Sequence, residues 1–515
     1  QAEDGIRDHC VTGVQTCALP IFLTLISTVV ICIVLLHEIG INSAILAALL
    51  IPLMPLSYLH PRWGLLAFLT YLHFNGTIAY SLAEVFQADG GLIFYKDDYP
   101  IFQITKDAFY LSAIFAIILA SKSLKQLVIR FKSLAITLII FSSICFLIFF
   151  SINLPLQLIN PASNSLLIGG IGLKIWLGYI PLILGGYYFV NRQQDLLFLN
   201  RWLVSLILIC CSLCLVQYLL LVYGICPGND SLLEPAATKA SLQAQCFVGG
   251  SLLYNSAKGL IRLPGTFVSP WHWAWFLIAS TFISYGVAIS EPCRRWQVVS
   301  WISLASIIVA TVISGQRTAL LLVPLIFLTL LLLTGKRKRW LPLKLAVVAA
   351  AALFLASQFP IVGQQLENFL RRWNYSPPQE FIANQFQWVW TNHLQWLGQG
   401  LGMATNAAWQ FGNPRLIETF YVKLLYEMGI IGCLAFLGVV TCLTVLTFRA
   451  YQSLKTASLR RLGLCLWLFI LFMSYNPYYY PLTIDPVAVY YWFIAGILLK
   501  LPELEKSLES EGEKK

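Results

Sequence analysis

Three ionisable residues stand out by type and setting. They are Arg262 in Ile261-Arg262-Leu263-Pro264-Gly265-Thr266-Phe267, Arg317 in Ser314-Gly315-Gln316-Arg317, and Glu418 in Arg415-Leu416-Ile417-Glu418-Thr419-Phe420. Each lies where an apolar run begins or ends. An arginine at the depth of a membrane span is costly, so it takes a partner or a substrate; the alternative is an interfacial side chain snorkelling to headgroups. Glu418 has no opposite charge one helical turn ahead, since position 422 is valine, and Arg415 stands just outside the helix. It is therefore available as a general base. Glu427 has Lys423 at i−4 and reads as a structural ion pair. The expectation is that Arg262, Arg317 and Glu418 meet in one cavity.

The elements that must position these groups are membrane spans. Of 515 residues 58% are hydrophobic and 11% charged, with mean hydropathy +0.74. Soluble domains carry roughly 25% charged residues, so a water-soluble enzyme and a disordered regulator are both excluded. Apolar stretches of about 20 residues fall near 22–36, 41–59, 63–82, 102–121, 134–153, 166–190, 199–224, 271–290, 297–315, 317–334, 342–359, 417–447, 462–479 and 485–501. The fold class is thus an all-α polytopic membrane protein of about 12–14 spans. With the C-terminal tail placed inside, the Lys/Arg rule puts 22 basic residues in inner segments and 10 in outer ones. The formal charge of +11 is read as this topology signal, with no nucleic-acid partner expected. The long connections 83–101, 225–270 and 360–416 all fall outside, and connections of that length are functional or disordered.

The expected division is a non-native leader (1–21), N-terminal spans (22–224), an outer loop (225–270), central spans (271–359), a Trp-rich outer loop (360–416), C-terminal spans (417–501) and a solvated, disordered tail (502–515). The leader resembles translated sequencing-adapter read-through; a genuine short extramembrane segment is the alternative. Cys226 and Cys246 share one outer loop and are expected to form a disulfide rather than two free thiols. Cys211 and Cys214 sit in a span as packing residues, and no metal is expected. Trp373, Trp388, Trp390, Trp396 and Trp409 accompany Arg371, Arg372, Arg415 and His393. They form either a sugar platform or an interfacial aromatic belt, with 378–397 spaced as an amphipathic helix. His393, alone among apolar neighbours, reads first as an interface histidine. Lys174 lies in the glycine-rich Gly169-Gly170-Ile171-Gly172-Leu173-Lys174, where helices can approach closely.

The order of Arg262-x-x-Gly265-Thr266-Phe267-x-x-Pro270, Ser314-Gly315-x-Arg317, Gly398-Gln399-Gly400-Leu401-Gly402 and Glu418…Leu425-x-Glu427-x-Gly429-x-x-Gly432 resembles the bacterial O-antigen ligase and O-antigen polymerase superfamily over about residues 166–450. The resemblance implies an inner-membrane inverting glycosyltransferase, with periplasmic active site, cytoplasmic C-terminus and no metal or other cofactor. It implies an undecaprenyl-pyrophosphate-linked glycan donor held by Arg262 and Arg317, a glycan or lipid acceptor, and surrounding membrane lipids. The ligases carry a histidine where this chain has Glu418, which tilts the expectation toward a polymerase. Trp271-His272 replaces the asparagine often found after the proline, making His272 a supporting candidate. Lys174, Arg415, Tyr421 and His393 complete the candidate substrate contacts. The glycine triplet is no nucleotide fingerprint, because it opens no strand–helix unit. The competing classes are a secondary transporter of a small solute, whose signs are interrupted helices and midplane charges, and a polysaccharide export component.

Overall fold

A computed structural model describes residues 28–34, 41–82, 85–87, 93–95, 99–120, 128–233, 236–335, 360–375, 377–406, 408, 411–412, 414–479 and 481–512. The leader 1–21, the expected span 342–359 and Trp409 lie outside these residues, as does most of the expected span 22–36.

In chain order the elements are α1 (Ile41–Leu59), α2 (Pro61–His73), α3 (Asn75–Leu82), strands β1 (Val85–Gln87) and β2 (Ile93–Tyr95), and α4 (Tyr99–Ala120). Next come α5 (Lys132–Ile148), a π-turn (Phe149–Asn153), α6 (Leu154–Ile159), α7 (Ser165–Leu177), α8 (Leu182–Phe189) and α9 (Gln193–Val222). A hairpin of β3 (Leu253–Asn255) and β4 (Leu260–Arg262) precedes α10 (Pro270–Ser290), α11 (Arg294–Ser314) and α12 (Arg317–Thr334). The chain ends with α13 (Pro360–Tyr375), α14 (Pro378–Asn392), α15 (Phe420–Gln452), α16 (Ala457–Tyr475) and α17 (Val487–Gly512). Among the described residues nine segments are long and apolar enough to cross a membrane. Only 17% of the apolar window in 132–159 and 22% of that in 317–334 is buried, as expected of helices that face lipid. The protein is an all-α multi-pass membrane protein.

The chain forms two compact units. The first comprises the described parts of 1–124, 198–284 and 293–329. Here α1 and α2 pack on α4, and Ser57 Oγ donates to the Phe109 carbonyl at 2.6 Å. Cys226 and Cys246 form a disulfide with Cα atoms 5.8 Å apart. The buried Gln217 on α9 donates to the carbonyls of Cys246 (3.0 Å) and Val248 (2.6 Å). The disulfide thus closes part of the loop 225–270 on itself, and Gln217 ties that loop to its helix.

The second unit comprises 125–197, 285–292 and the described part of 330–515. Its closest helix pair is α8 with α17. A Cβ at Gly186 would lie 2.0 Å from the Phe493 carbonyl oxygen, and one at Gly496 would lie 2.0 Å from that of Ile183, so this crossing accepts no side chain on either helix. The end of the chain departs from expectation. Helix α17 does not stop at 501 but runs to Gly512, and two of its carboxylates find donors in the fold. Glu503 accepts from Tyr187 Oη (2.6 Å) and Lys500 Nζ (2.6 Å) and pairs with Arg130. Glu505 accepts from the backbone N–H groups of Lys455 (3.0 Å) and Thr456 (2.6 Å).

Candidate functional site

In the first unit, the motif around Arg262 is held by packing. Arg262 ends β4, opposite Leu253 of β3. Thr266 Oγ1 donates to the His73 carbonyl at 2.6 Å. Phe267 lies against Trp273 (5.8 Å) and Phe276 (4.8 Å). The Leu263 N–H donates to the Ser314 carbonyl at 3.2 Å, and this bond ties the arginine motif of β4 to that of α12. Gly315, at φ +61°, ends α11 in the left-handed conformation, the ordinary glycine stop. The chain then re-enters a helix at Arg317 with little room between. Arg262 and Arg317 thus belong to segments joined by the Leu263–Ser314 bond, each half-buried. His272 has its Nδ1 2.6 Å from Ser269 Oγ and its ring 4.2 Å from Trp271. It braces the start of α10.

The remaining candidates belong to the second unit. Helix α15 starts at Phe420, which leaves Glu418 two residues outside it. Glu418 is half-buried, and burial pushes its carboxyl above the usual glutamate range. No hydrogen bond or ion pair reaches that carboxylate from the described residues. Its backbone N–H donates to Gln385 Oε1 (3.2 Å), which also accepts from Thr419 Oγ1 (2.7 Å). Gln385 in turn lines a cavity of about 820 Å³ with Asn384 and Trp388 of α14 and the segment 414–417. The Arg415 guanidinium sits over the Trp388 ring at 5.6 Å. The same indole has the rings of His393 at 4.4 Å and Tyr426 at 6.0 Å, the latter stacked. His393 is therefore a wall of this aromatic stack. Tyr421 donates its hydroxyl to the Ser474 carbonyl, and Lys174 is exposed on α7.

Glu427 has more partners than the expected Lys423. It is fully buried, and its carboxylate is also bound by the chain around it. Trp176 Nε1 (2.8 Å) and the Gly402 N–H (3.1 Å) donate to Oε2; the Ala404 N–H (2.9 Å) and Thr405 Oγ1 (3.0 Å) donate to Oε1. Lys423, also buried, shares its electrostatic field. Two residues on, α15 breaks at Gly429 (φ +66°, ψ −166°). The loop 395–400 is spliced into the gap. Ile430 and Ile431 donate to the Gln395 and Trp396 carbonyls (3.1 and 3.2 Å), while Gln399 and Gly400 donate to those of Tyr426 and Glu427 (2.8 and 3.2 Å). Backbone groups freed by the break are thereby satisfied in protein rather than lipid. Asn153, buried in the π-turn, clamps the same loop from the other side: it donates to the Leu401 carbonyl (3.0 Å) and accepts the Leu401 N–H (2.9 Å). The glycine triplet is thus a joint whose loop carries the cavity wall, since the Met403 carbonyl accepts the Arg415 N–H at 2.8 Å.

Arg262 and Arg317 therefore fall in one unit, their motifs joined by the Leu263–Ser314 bond; in the other, Arg415 lines the cavity, His393 packs on its Trp388 and the Glu418 N–H binds its Gln385. Lys174 and Tyr421 stand apart from that cavity. Gln385, Asn384 and Asn153 were not legible as site residues, and only the spacing of the glycine triplet ahead of Glu427 hinted at the joint. No protein-family model and no curated protein matches the chain.

Proposed function

We propose that the protein is a membrane glycosyltransferase that moves a glycan from an undecaprenyl-pyrophosphate donor to an acceptor hydroxyl. The observation that carries this reading is Glu418, a half-buried carboxylate with raised proton affinity and no counter-charge among the described residues, whose backbone is held by Gln385 of a cavity offering guanidinium and carboxamide groups. In the reaction the acceptor oxygen bonds to the anomeric carbon and the carbon–oxygen bond to the pyrophosphate breaks. The hydroxyl proton passes to the Glu418 carboxylate, and the electron pair leaves on the pyrophosphate. Attack opposite the leaving group inverts the anomeric centre. A positioned base contributes about 10²–10⁴-fold to such a step. Arg262 and Arg317 are assigned to the pyrophosphate, whose developing charge fixed guanidinium groups stabilise. The carboxylate in place of the ligase histidine favours a polymerase-like enzyme. The excess of Lys and Arg in alternate connections favours a bacterial inner-membrane protein with its C-terminus in the cytoplasm and its site in the periplasm.

A second reading, secondary transport, draws on the interrupted helix α15, because transporters bind substrate and ions at such breaks. Here the groups at Gly429 are already taken up by the loop 395–400, which favours a structural splice. The lipid-linked pool in a deletion strain separates the readings. Accumulated single repeat units support polymerisation, and accumulated full-length lipid-linked polymer supports ligation. An unchanged pool with altered solute uptake supports transport. Complementation with Arg262→Ala or Arg317→Ala should fail, whereas Arg371→Ala, which loses only an exposed contact to Asn368, should restore the pool. Equal, mild losses in all three would refute the pyrophosphate assignment.

A further inference from the structure

The cavity beside Glu418 has a one-sided chemistry. Gln385 spends its Oε1 on the Glu418 N–H and the Thr419 hydroxyl, so the side chain has its amide nitrogen left to offer. That nitrogen, a donor only, has no hydrogen-bond partner among the described residues. Arg415 is exposed and forms no ion pair among them. Its guanidinium rests on Trp388, and the indole is itself braced by Tyr426 and His393. Stacking holds the plane of an arginine while leaving its N–H edge open for a two-pronged acceptor. Pro414, Leu416 and Ile417 supply apolar wall, and no carboxylate is among the described residues that line the cavity. Its volume of about 820 Å³ lies in the range of small-molecule sites. Such a lining recognises an oxyanion borne on a ring with an apolar face.

We infer that this cavity binds acidic saccharides, with a sugar carboxylate held by Arg415 and the Gln385 amide. The inference rests on the glycosyltransferase reading and names the sugar class that its site accepts. A lipid-headgroup phosphate presents the same oxyanion chemistry, so the test must separate the two sources. The full chain in phosphatidylcholine nanodiscs is titrated calorimetrically with tetragalacturonate and with the uncharged maltotetraose. A parallel set of nanodiscs contains phosphatidylglycerol. Tetragalacturonate should bind saturably in both membranes and at least about tenfold more tightly than maltotetraose, the usual scale for one charged hydrogen-bonded contact. R415Q should weaken it by a similar factor, R415K should restore part of the loss, and R371Q should bind as wild type. E418Q should lose transfer while keeping saturable binding of tetragalacturonate, so failure of the base assignment and failure of this binding site are read separately. Equal affinity for the uncharged sugar, or normal binding by R415Q, overturns the inference. So does a calorimetric signal that needs phosphatidylglycerol and ignores tetragalacturonate, because the oxyanion would then be the headgroup phosphate.

Discussion

Replacing Gly429 by alanine tests the splice between α15 and the loop 395–400. The native φ of +66° with ψ of −166° belongs to a region that is essentially restricted to glycine, and a side chain held there costs about 1–3 kcal/mol. The added Cβ would also sit 2.4 Å from the carbonyl oxygens of both Gln395 and Trp396. These are backbone atoms that cannot swing away, so the loop must move. Its bonds from Ile430 and Ile431 are then weakened or lost, at about 1 kcal/mol each. The sum is about 3–5 kcal/mol. At about 2 °C per kcal/mol for a cooperative unit of this size, the purified protein should melt roughly 6–10 °C lower. Gly438 is the internal control. It lies in the same helix with nothing within 4 Å of its Cβ position, so Gly438→Ala should be neutral or stabilise by up to about 1 kcal/mol. Thermal melts in detergent, followed by size-exclusion chromatography, read both variants. A Gly429→Ala protein melting within about 1 °C of wild type, or a Gly438→Ala protein falling as far as Gly429→Ala, would refute the reasoning.

Glu427→Gln should lower stability by about 2–4 kcal/mol, because the carboxamide nitrogen faces donors that the carboxylate had satisfied. Faster proteolysis within 398–405 should accompany the lower melt, and a wild-type melt would show that the four donors do not anchor the loop. Replacing Cys226 and Cys246 together by serine opens a 20-residue closure and should cost about 3 kcal/mol. Melts with and without reductant that coincide for the wild-type chain would contradict this.

The spans were legible because each buries or exposes an apolar run of bilayer length. The stretch 317–334 coincides with Arg317–Thr334, and 297–315 overlaps Arg294–Ser314. The pairing of Cys226 with Cys246 was legible from compartment alone. The break at Gly429 was not, because the apolar run continues across it and the groups that fill it come from Gln395 and Trp396, more than thirty positions earlier. Glu427 shows how much local spacing leaves out in a membrane interior. The i,i+4 rule offered Lys423, whose charge does couple to it; it could not offer Trp176, 251 positions away, or the three groups of the glycine-rich loop that also bond the carboxylate. Charge density similarly marked 502–515 as solvated, yet Glu503 and Glu505 are fixed by Tyr187 and by the backbone at Lys455 and Thr456. The cavity depends on Gln385 and Asn384, two amides indistinguishable in sequence from surface residues of a helix.

The measurement closest to the central claim is glycan transfer by purified wild type and Glu418→Gln, reconstituted with a lipid-pyrophosphate donor and followed against pH. Burial raises the Glu418 proton affinity. The wild-type rate should therefore fall as pH drops through a value above the ordinary glutamate range, since the protonated carboxyl cannot accept the hydroxyl proton. The same shift fixes the sign for stability. The charged form burdens the fold once pH exceeds the unfolded value, so Glu418→Gln should melt at or above the wild-type temperature near neutrality. The expected result is a well-folded Glu418→Gln protein with no transfer at any pH. Full transfer by that protein, with the wild-type pH profile, would contradict the account.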